Sequence, residues 1–370
     1  MPSLSPLTRR RIRNFRANRR ALWSLRIFSV LFLIALCAEF VANDRPILVQ
    51  YRGDLYMPVL NAYPETTFGG EFETEAEYPA PEVRCLIVTG GLEDCFWEDP
   101  EEIMADAADG EVNGVPIEAG WILWPPIPYS FDTINYEVER APSAPDANHW
   151  LGTDNQSRDV LARVIYGFRI SVLFAFAVTI IASTIGIAAG AVQGYFGGIT
   201  DLAFQRFVEI WQSTPTLYIL IIISALFTMS FWTLTLLIAV FSWTALVGVV
   251  RAEFLRARNF EYVRAARALG VSDGQIMFRH VLPNAMVATL TLLPFIITGA
   301  IGGLATLDYL GFGLPPSYPS LGELTLQAKN HLDAWWLGFT AFFTFAIMLS
   351  LLVFIFEGIR DAFDPRKTFA

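Results

Sequence analysis

Polar and apolar positions along the chain alternate between six long apolar runs and segments rich in charge, glycine or proline. The runs cover residues 22–42, 170–192, 210–229, 231–250, 285–307 and 335–356. A helix of about 20 residues crosses the hydrocarbon core of a bilayer, so each run predicts one transmembrane helix. Only Ser230 separates the third run from the fourth, which predicts a minimal turn with offset helix ends. The second run carries Ser183, Gly186, Ala188, Ala189 and Gly190. Small side chains let helices approach closely where lipid supplies no hydrophobic drive between them. Pro215 predicts either a kink or a helix start in the third run. Pro294, Gly299, Gly302 and Gly303 mark the fifth, where glycines line a pathway or, more commonly, seat a neighbouring helix. Trp335 and Trp336 open the sixth as an interfacial anchor.

The segments between the runs have their own patterns. Residues 149–169 read as an interfacial amphipathic segment. Val160, Leu161, Val164 and Ile165 form its apolar face, and Arg158, Arg163 and Arg169 lie along the remainder. Asp154 or Asn155 is a candidate helix cap, and Asp159 falls in the first turn, where a carboxylate suits the helix dipole. Residues 194–198 predict a tight turn, and residues 201–209 a short polar helix with Asp201 as its candidate N-cap. Residues 43–148 are rich in proline, acids and aromatic clusters. Alternation over 83–89 and 112–117 predicts strands, with a hairpin turn at Asn113-Gly114.

Charge then orients the chain. With 54% hydrophobic residues it is too apolar for an ordinary soluble domain. Residues 1–26 carry eight arginines and no acid, residues 44–167 carry 24 acids against six arginines, and residues 251–284 carry six arginines. Basic segments stay on the cytoplasmic side. The arm 1–21, the core loop 251–284 and the tail 357–370 are therefore expected inside, and the insertion 43–148 outside. The arm reads as a topogenic element and nothing more. Arg26 of the first helix, 22–42, can snorkel inward. A cleaved signal peptide is the rival reading of that helix; Cys37-Ala38-Glu39 makes a poor cleavage site, so a retained helix is expected. Cys85 and Cys95 fall in the outer segment, where thiols oxidise, and predict a disulfide, with two free thiols as the alternative.

The residues 259–284 are short, basic and patterned. Arg264-Ala265-Ala266, then Gly270, then Leu282-Pro283 resembles the "EAA" loop of ABC importer permeases, with Arg264 standing at the glutamate position. Ala265, Ala266 and Ala268 allow a helix to approach another surface. Leu269 precedes Gly270, which can end the helix left-handed, and Pro283 is expected to restart the chain as the next helix. Gly152-Thr153-Asp154 followed by Arg158-Asp159 resembles the segment before the second helix of dipeptide and oligopeptide permeases of the "C" type. Ser157 stands there in place of the usual glycine. Leu310-Gly311-Phe312-Gly313 and the Arg360-Asp361…Asp364-Pro365-Arg366 ending resemble the same family. The acidic insertion resembles its microcin C-type branch.

The resemblance implies an all-α polytopic membrane protein of six transmembrane helices with the type I ABC importer permease fold, its core over 170–356. A small mixed α/β or loop-rich domain on the outer face is the addition. It implies a peptide importer subunit in a bacterial inner membrane with both termini cytoplasmic. Its partners would be a second, "B"-type permease, a cytoplasmic ABC ATPase carrying ATP and magnesium, a periplasmic peptide-binding protein and membrane lipid, but no nucleic acid. Neither Lys329 nor Lys367 lies in a glycine-rich phosphate loop, so no ATP hydrolysis, cofactor or metal is expected on this chain.

Two other classes compete. An ion-coupled secondary transporter needs ionisable residues inside its spans, and Arg26, Glu39 and Glu209 all lie near span ends. A membrane-anchored enzyme needs a catalytic constellation, yet His-Glu-x-x-His and Gly-x-Ser-x-Gly are absent from the sequence.

Overall fold

The computed structural model describes residues 6–107, 110–112 and 115–363. The predicted turn at Asn113-Gly114, the Asp364-Pro365-Arg366 ending and the first residues of the arm lie outside them. The chain divides into two compact units, one of residues Leu33–Tyr166 and one of the segments on either side.

The arm is a helix, α1 (Pro6–Ala17), followed by α2 (Arg19–Leu36). The second helix stops six residues before the predicted end. Cys37 interrupts it, and Ala38–Val41 forms a separate turn, α3.

The unit Leu33–Tyr166 is built on a three-stranded antiparallel sheet. Its centre is β1 (Leu48–Tyr51), flanked by β2 (Asp54–Tyr56) and, from far along the chain, by the strand Trp121–Leu123. Val49 and Tyr51 alternate inward and pack with Phe68, Tyr78, Val83 and Ile87. The Phe68 ring takes the edges of Tyr51, Tyr56, Tyr63 and Tyr78 at 5.5–6.5 Å, the spacing that aromatic quadrupoles favour. The strand expected over 83–89 is instead a helix, α4 (Pro81–Thr89). Pro81 presets its first turn, Gly90 at φ +76° closes it, and Val83, Leu86 and Ile87 share a buried face at helical spacing. Helix α5 (Pro100–Asp106) follows, with Asp99 accepting the Glu101 N–H at 2.9 Å as its cap. The strands β3 (Glu111–Val112) and β4 (Val115–Pro116) pair antiparallel ahead of β5 (Trp121–Leu123). Cys85 on α4 is joined to Cys95 as a disulfide, inside a small core with Leu86, Ile103 and Val112.

The other unit is helical. Helix α6 (Val160–Phe196) is one unbroken rod of 37 residues, so the amphipathic segment and the second span are a single element. Only Gly197 and Gly198, both at positive φ, make the turn after it. Next come α7 (Gly198–Ser213) and α8 (Thr216–Leu226), bent by 68° where Pro215 precedes the new helix. Ser230 caps α9 (Phe231–Ser242), which bends by 42° into α10 (Thr244–Ala257). The loop helix α11 (Glu261–Ala268) precedes α12 (Asp273–Gln275). Pro283 does not restart the chain. It lies inside a continuous helical run formed by α12, a π-helical turn at Ile276–Val281 and α13 (Leu282–Leu290). The wider turn accommodates a ring that would clash with a carbonyl of the preceding turn. A 57° bend at Thr291-Leu292 leads into α14 (Leu293–Tyr309), with Pro294 in its first turn. Helices α15 (Leu321–Asn330) and α16 (Trp335–Phe363) complete the unit.

Among the described residues two helices, α6 and α16, are long and apolar enough to cross a membrane, and five spans result when each bent pair counts as one. Helix α2 is 18 residues long and carries Arg19, Arg20 and Arg26. The arm does more than carry charge: Ala21 and Phe15 press on Gly358 of α16, and the Arg11 guanidinium lies 4.1 Å from the centre of the Phe363 ring.

Candidate functional site

The loop helix α11 is anchored from one side only. Val263 and Ala266 are buried in a core with Tyr195 of α6, Val250 and Phe254 of α10, and Ile276, Met277 and Val281 of the π-helical turn. Gly270, at φ +79°, ends the helix. The Val271 N–H reaches back to the Ala266 carbonyl and that of Gly270 to the Arg267 carbonyl, so the last carbonyls are satisfied. The alanines divide between two faces. Ala266 is spent on the chain's own core, whereas Arg264, Ala265 and Ala268 point outward. Leu269 is 83% exposed and Phe278 69% exposed. Leu282 is half-buried against the core and Pro283 is exposed. A platform of about two turns, polar and apolar together, thus stands out from a packed base.

Tyr195 is the pivot of that base. Its hydroxyl donates to Asp273 Oδ1, and the Arg267 guanidinium lies 5.3 Å from its ring centre. Asp201 does not cap α7; its carboxylate takes a bidentate bond from Arg251, with Nη2 to Oδ2 at 2.7 Å, tying α7 to α10. Neither pairing shows in local spacing, since the partners lie 50 or more residues apart.

The segment before α6 is a buried ionic knot. Asp154 is fully buried. It accepts the backbone N–H groups of Gln156 and Arg158, and the Arg158 Nε at 2.8 Å. Arg163 lies 3.4 Å from the same carboxylate and donates to the Phe131 carbonyl at 3.1 Å. The cap of α6 is Asp159 rather than Asp154 or Asn155, because its Oδ1 accepts the Ala162 N–H at 2.7 Å. Its Oδ2 faces His149 Nδ1 at 2.9 Å. The Asn135 Oδ1 takes the Glu137 N–H at 2.9 Å, which turns its Nδ2 toward His149 Nε2 at 3.0 Å. The imidazole therefore accepts at Nε2 and donates from Nδ1 to Asp159. Asp146 accepts the N–H groups of His149 and Asn148, and the His149 bond in particular holds its carboxyl below the usual range. Of the apolar face read from 160, 161, 164 and 165, Val160 is fully buried and the other three are half-buried. Ala162, Arg163 and Tyr166 are buried as well, because arginines satisfied by a carboxylate and a carbonyl can enter a core.

Gly152 and Ser157 bend this loop at φ +73° and +57°. An L-residue with a side chain is strained there, by roughly 1–2 kcal/mol, which gives a physical reason for glycine at the Ser157 position. Ser157→Gly is expected to stabilise the protein by about 1 kcal/mol, read as a raised thermal midpoint in detergent.

The predicted pathway or packing glycines sit differently from one another. A Cβ on Gly299 or Gly302 would meet nothing within 4 Å, and on Gly303 only the Ile238 side chain at 3.9 Å. Packing against the described helices of this chain is therefore not the role of Gly299 or Gly302. That role falls to Gly186, Gly190 and Gly194 of α6, where an added Cβ would strike the backbone of α10. Asp308, which drew no attention in the sequence, holds the Leu310–Ser320 loop. Its carboxylate accepts the Leu314 N–H at 2.8 Å and the Ser320 hydroxyl.

The family described as "Binding-protein-dependent transport system inner membrane component" matches residues 182–369. A peptidoglycan transport system permease protein, YejE, of Agrobacterium fabrum is 52% identical over 100% of this chain and 95% of its own length. The inner membrane ABC transporter permease protein YejE of Escherichia coli is 50% identical, over 99% of both chains. The oligopeptide transport system permease protein OppC of Lactococcus lactis is 35% identical over 59% of this chain and 76% of its own.

Proposed function

The chain belongs to the binding-protein-dependent transport system inner membrane component family, and on that premise we propose that it is the permease subunit through which a separate ATPase drives import of peptides or peptide-like compounds. The observation that carries the reading is the platform of α11. It stands between two bent helix pairs, it is anchored by Val263 and Ala266, and it leaves Arg264, Ala265, Ala268 and Leu269 for another subunit. Leu269 with the exposed Phe278 and Phe260 of the same loop forms an apolar patch beside arginines, the kind of surface that a partner covers. Six spans with α2 as the first, both termini inside and the acidic unit outside, is the topology that the arginine distribution favours; a type I importer fold is proposed with it. The partners would be a second permease, the ATPase and a soluble peptide-binding protein.

The relatives' names, peptidoglycan transport and oligopeptide transport, support a cargo of peptides or peptide-bearing compounds, a class that includes a microcin C-like peptide. The oligopeptide relative aligns with 59% of the chain and the two longer relatives with nearly all of it. Docking of an outer component is the role we propose for the unit Leu33–Tyr166.

Leu269→Asp tests the platform. It touches no core, so thermal stability should change by less than about 0.5 kcal/mol. Loss of one docking anchor is worth about 2 kcal/mol, so retention of the ATPase during purification should fall roughly thirtyfold, with peptide uptake. Full retention and full uptake would remove α11 from the ATPase contact.

A further inference from the structure

The arm helix α1 presents two unlike faces. One is spent on α16: Asn14 is buried, Phe15 presses on Gly358, and Arg11 lies over the Phe363 ring. The other carries Arg9, Arg13 and Arg16, all exposed, with Arg10 on its flank. Spacings of four and then three residues set those three on one stripe, about 10 Å long. Ile12, 38% exposed, lies beside the stripe. Asn18 ends α1 and caps α2 by accepting the Ala21 N–H at 3.2 Å, so Arg19 and Arg20 follow the stripe at once. No acid precedes Glu39 in the chain. Among the described residues Arg9, Arg10, Arg13 and Arg16 pair with no carboxylate, although Glu357 and Asp361 stand on the packed helix; Asp361 bonds Arg360 at 3.2 Å.

The level of the arm follows from α16. Its apolar run ends at Phe356, and the arm meets it beyond that end, at Gly358 and Phe363. Helix α1 therefore lies at headgroup level, as five arginines in 12 residues require. We propose that α1 is a binding site for an acidic phospholipid. Arg9, Arg13 and Arg16 donate to the oxygens of the headgroup phosphate, Ile12 enters the acyl boundary, and the bound lipid holds the arm on the end of α16. The guanidinium fork matches phosphate oxygens in pairs, which an ammonium does not. Charge alone would suit an acidic protein too; the headgroup level and Ile12 at the edge of the stripe favour lipid. The inference goes beyond transport and needs only that the chain lies in a membrane.

The test titrates phosphatidylglycerol into the intact complex in neutral detergent and reads lipid-bound species by native mass spectrometry. Each arginine near a membrane surface is worth about a fivefold change in affinity. Replacing Arg9, Arg13 and Arg16 together by glutamine should therefore weaken the tightest site about 100-fold. The corresponding three lysine substitutions keep the charge and should stay within about tenfold of the unaltered protein. Where the glutamine variant fails to insert, Arg13→Gln alone replaces it, with an expected loss of about fivefold. Phosphatidylcholine should not occupy the site, and excess inorganic phosphate should not displace phosphatidylglycerol from it. Unchanged phosphatidylglycerol binding in the glutamine variant, equal losses in the lysine and glutamine variants, or equal binding of phosphatidylcholine overturns the proposal. Displacement by inorganic phosphate overturns it in favour of a free-anion site. Loss of companion subunits from the glutamine variant with lipid binding intact overturns it in favour of a protein contact.

Discussion

Asp154→Asn is expected to cost the protein roughly 3–5 kcal/mol, the scale for removing one partner from a buried ion pair, and to lower accumulation in the membrane. The carboxylate is fully buried, binds Arg158 through two nitrogens, and lies against Arg163, which is itself 2% exposed. Asparagine keeps the volume but leaves two guanidinium groups without the charge between them. With the amide oxygen kept under the Gln156 and Arg158 N–H groups, its NH2 falls where Oδ2 now faces the arginine nitrogens, a donor against donors. The comparison that isolates charge is Asp154→Leu with Arg158→Met and Arg163→Met together. Replacing a whole buried cluster by apolar groups of similar volume is often neutral or stabilising, so the triple variant should recover much of the loss. Chemical unfolding in detergent measures both. A single Asp154→Asn variant within 1 kcal/mol of the original would show that the cluster is solvated.

Gly190→Leu should be as damaging, for a steric reason. A Cβ there would lie 2.7 Å from the Val247 carbonyl oxygen and 2.8 Å from the Val250 Cβ, and neither belongs to a flexible tip. Overpacking costs about 1–3 kcal/mol where neighbours can shift; backbone on both sides pushes this site beyond that range. Helices α6 and α10 would have to part, taking Tyr195 and Phe254 away from the core under α11. Gly299→Leu is the control, since among the described residues no neighbouring element lies within 4 Å of its added Cβ. It should leave thermal unfolding of the isolated chain unchanged. A stable Gly190→Leu variant would mean that the two helices do not touch as described.

What the sequence disclosed follows from range. Apolar runs and the end of α11 at Gly270 are local, and each shows in a window of a few residues. The helix at α4 was disguised because Val83, Cys85 and Ile87 alternate like a strand while Val83, Leu86 and Ile87 also satisfy a helical face; Pro81 and Gly90 were the deciding signals. The breaks at Pro215 and Pro294 were visible as prolines, but their bends depend on neighbours. Among five glycines of similar surroundings, Gly186 and Gly190 meet α10, whereas Gly299 and Gly302 meet nothing. That distinction belongs to tertiary geometry. Arg163 looked solvated because its carboxylate partner, Asp154, lies nine residues back across a turn held by Gly152 and Ser157.

The contact of Ala21 and Phe15 with Gly358 carries a consequence for biogenesis. More than three hundred residues of translation separate the emergence of α1 from the ribosome and that of its partner α16. At about 5–20 residues per second the arm waits roughly a quarter of a minute to a minute with its apolar side uncovered. The nascent chain therefore spends nearly its whole synthesis with the first helix in the care of the insertion machinery or the lipid surface, and closes only when the final span arrives.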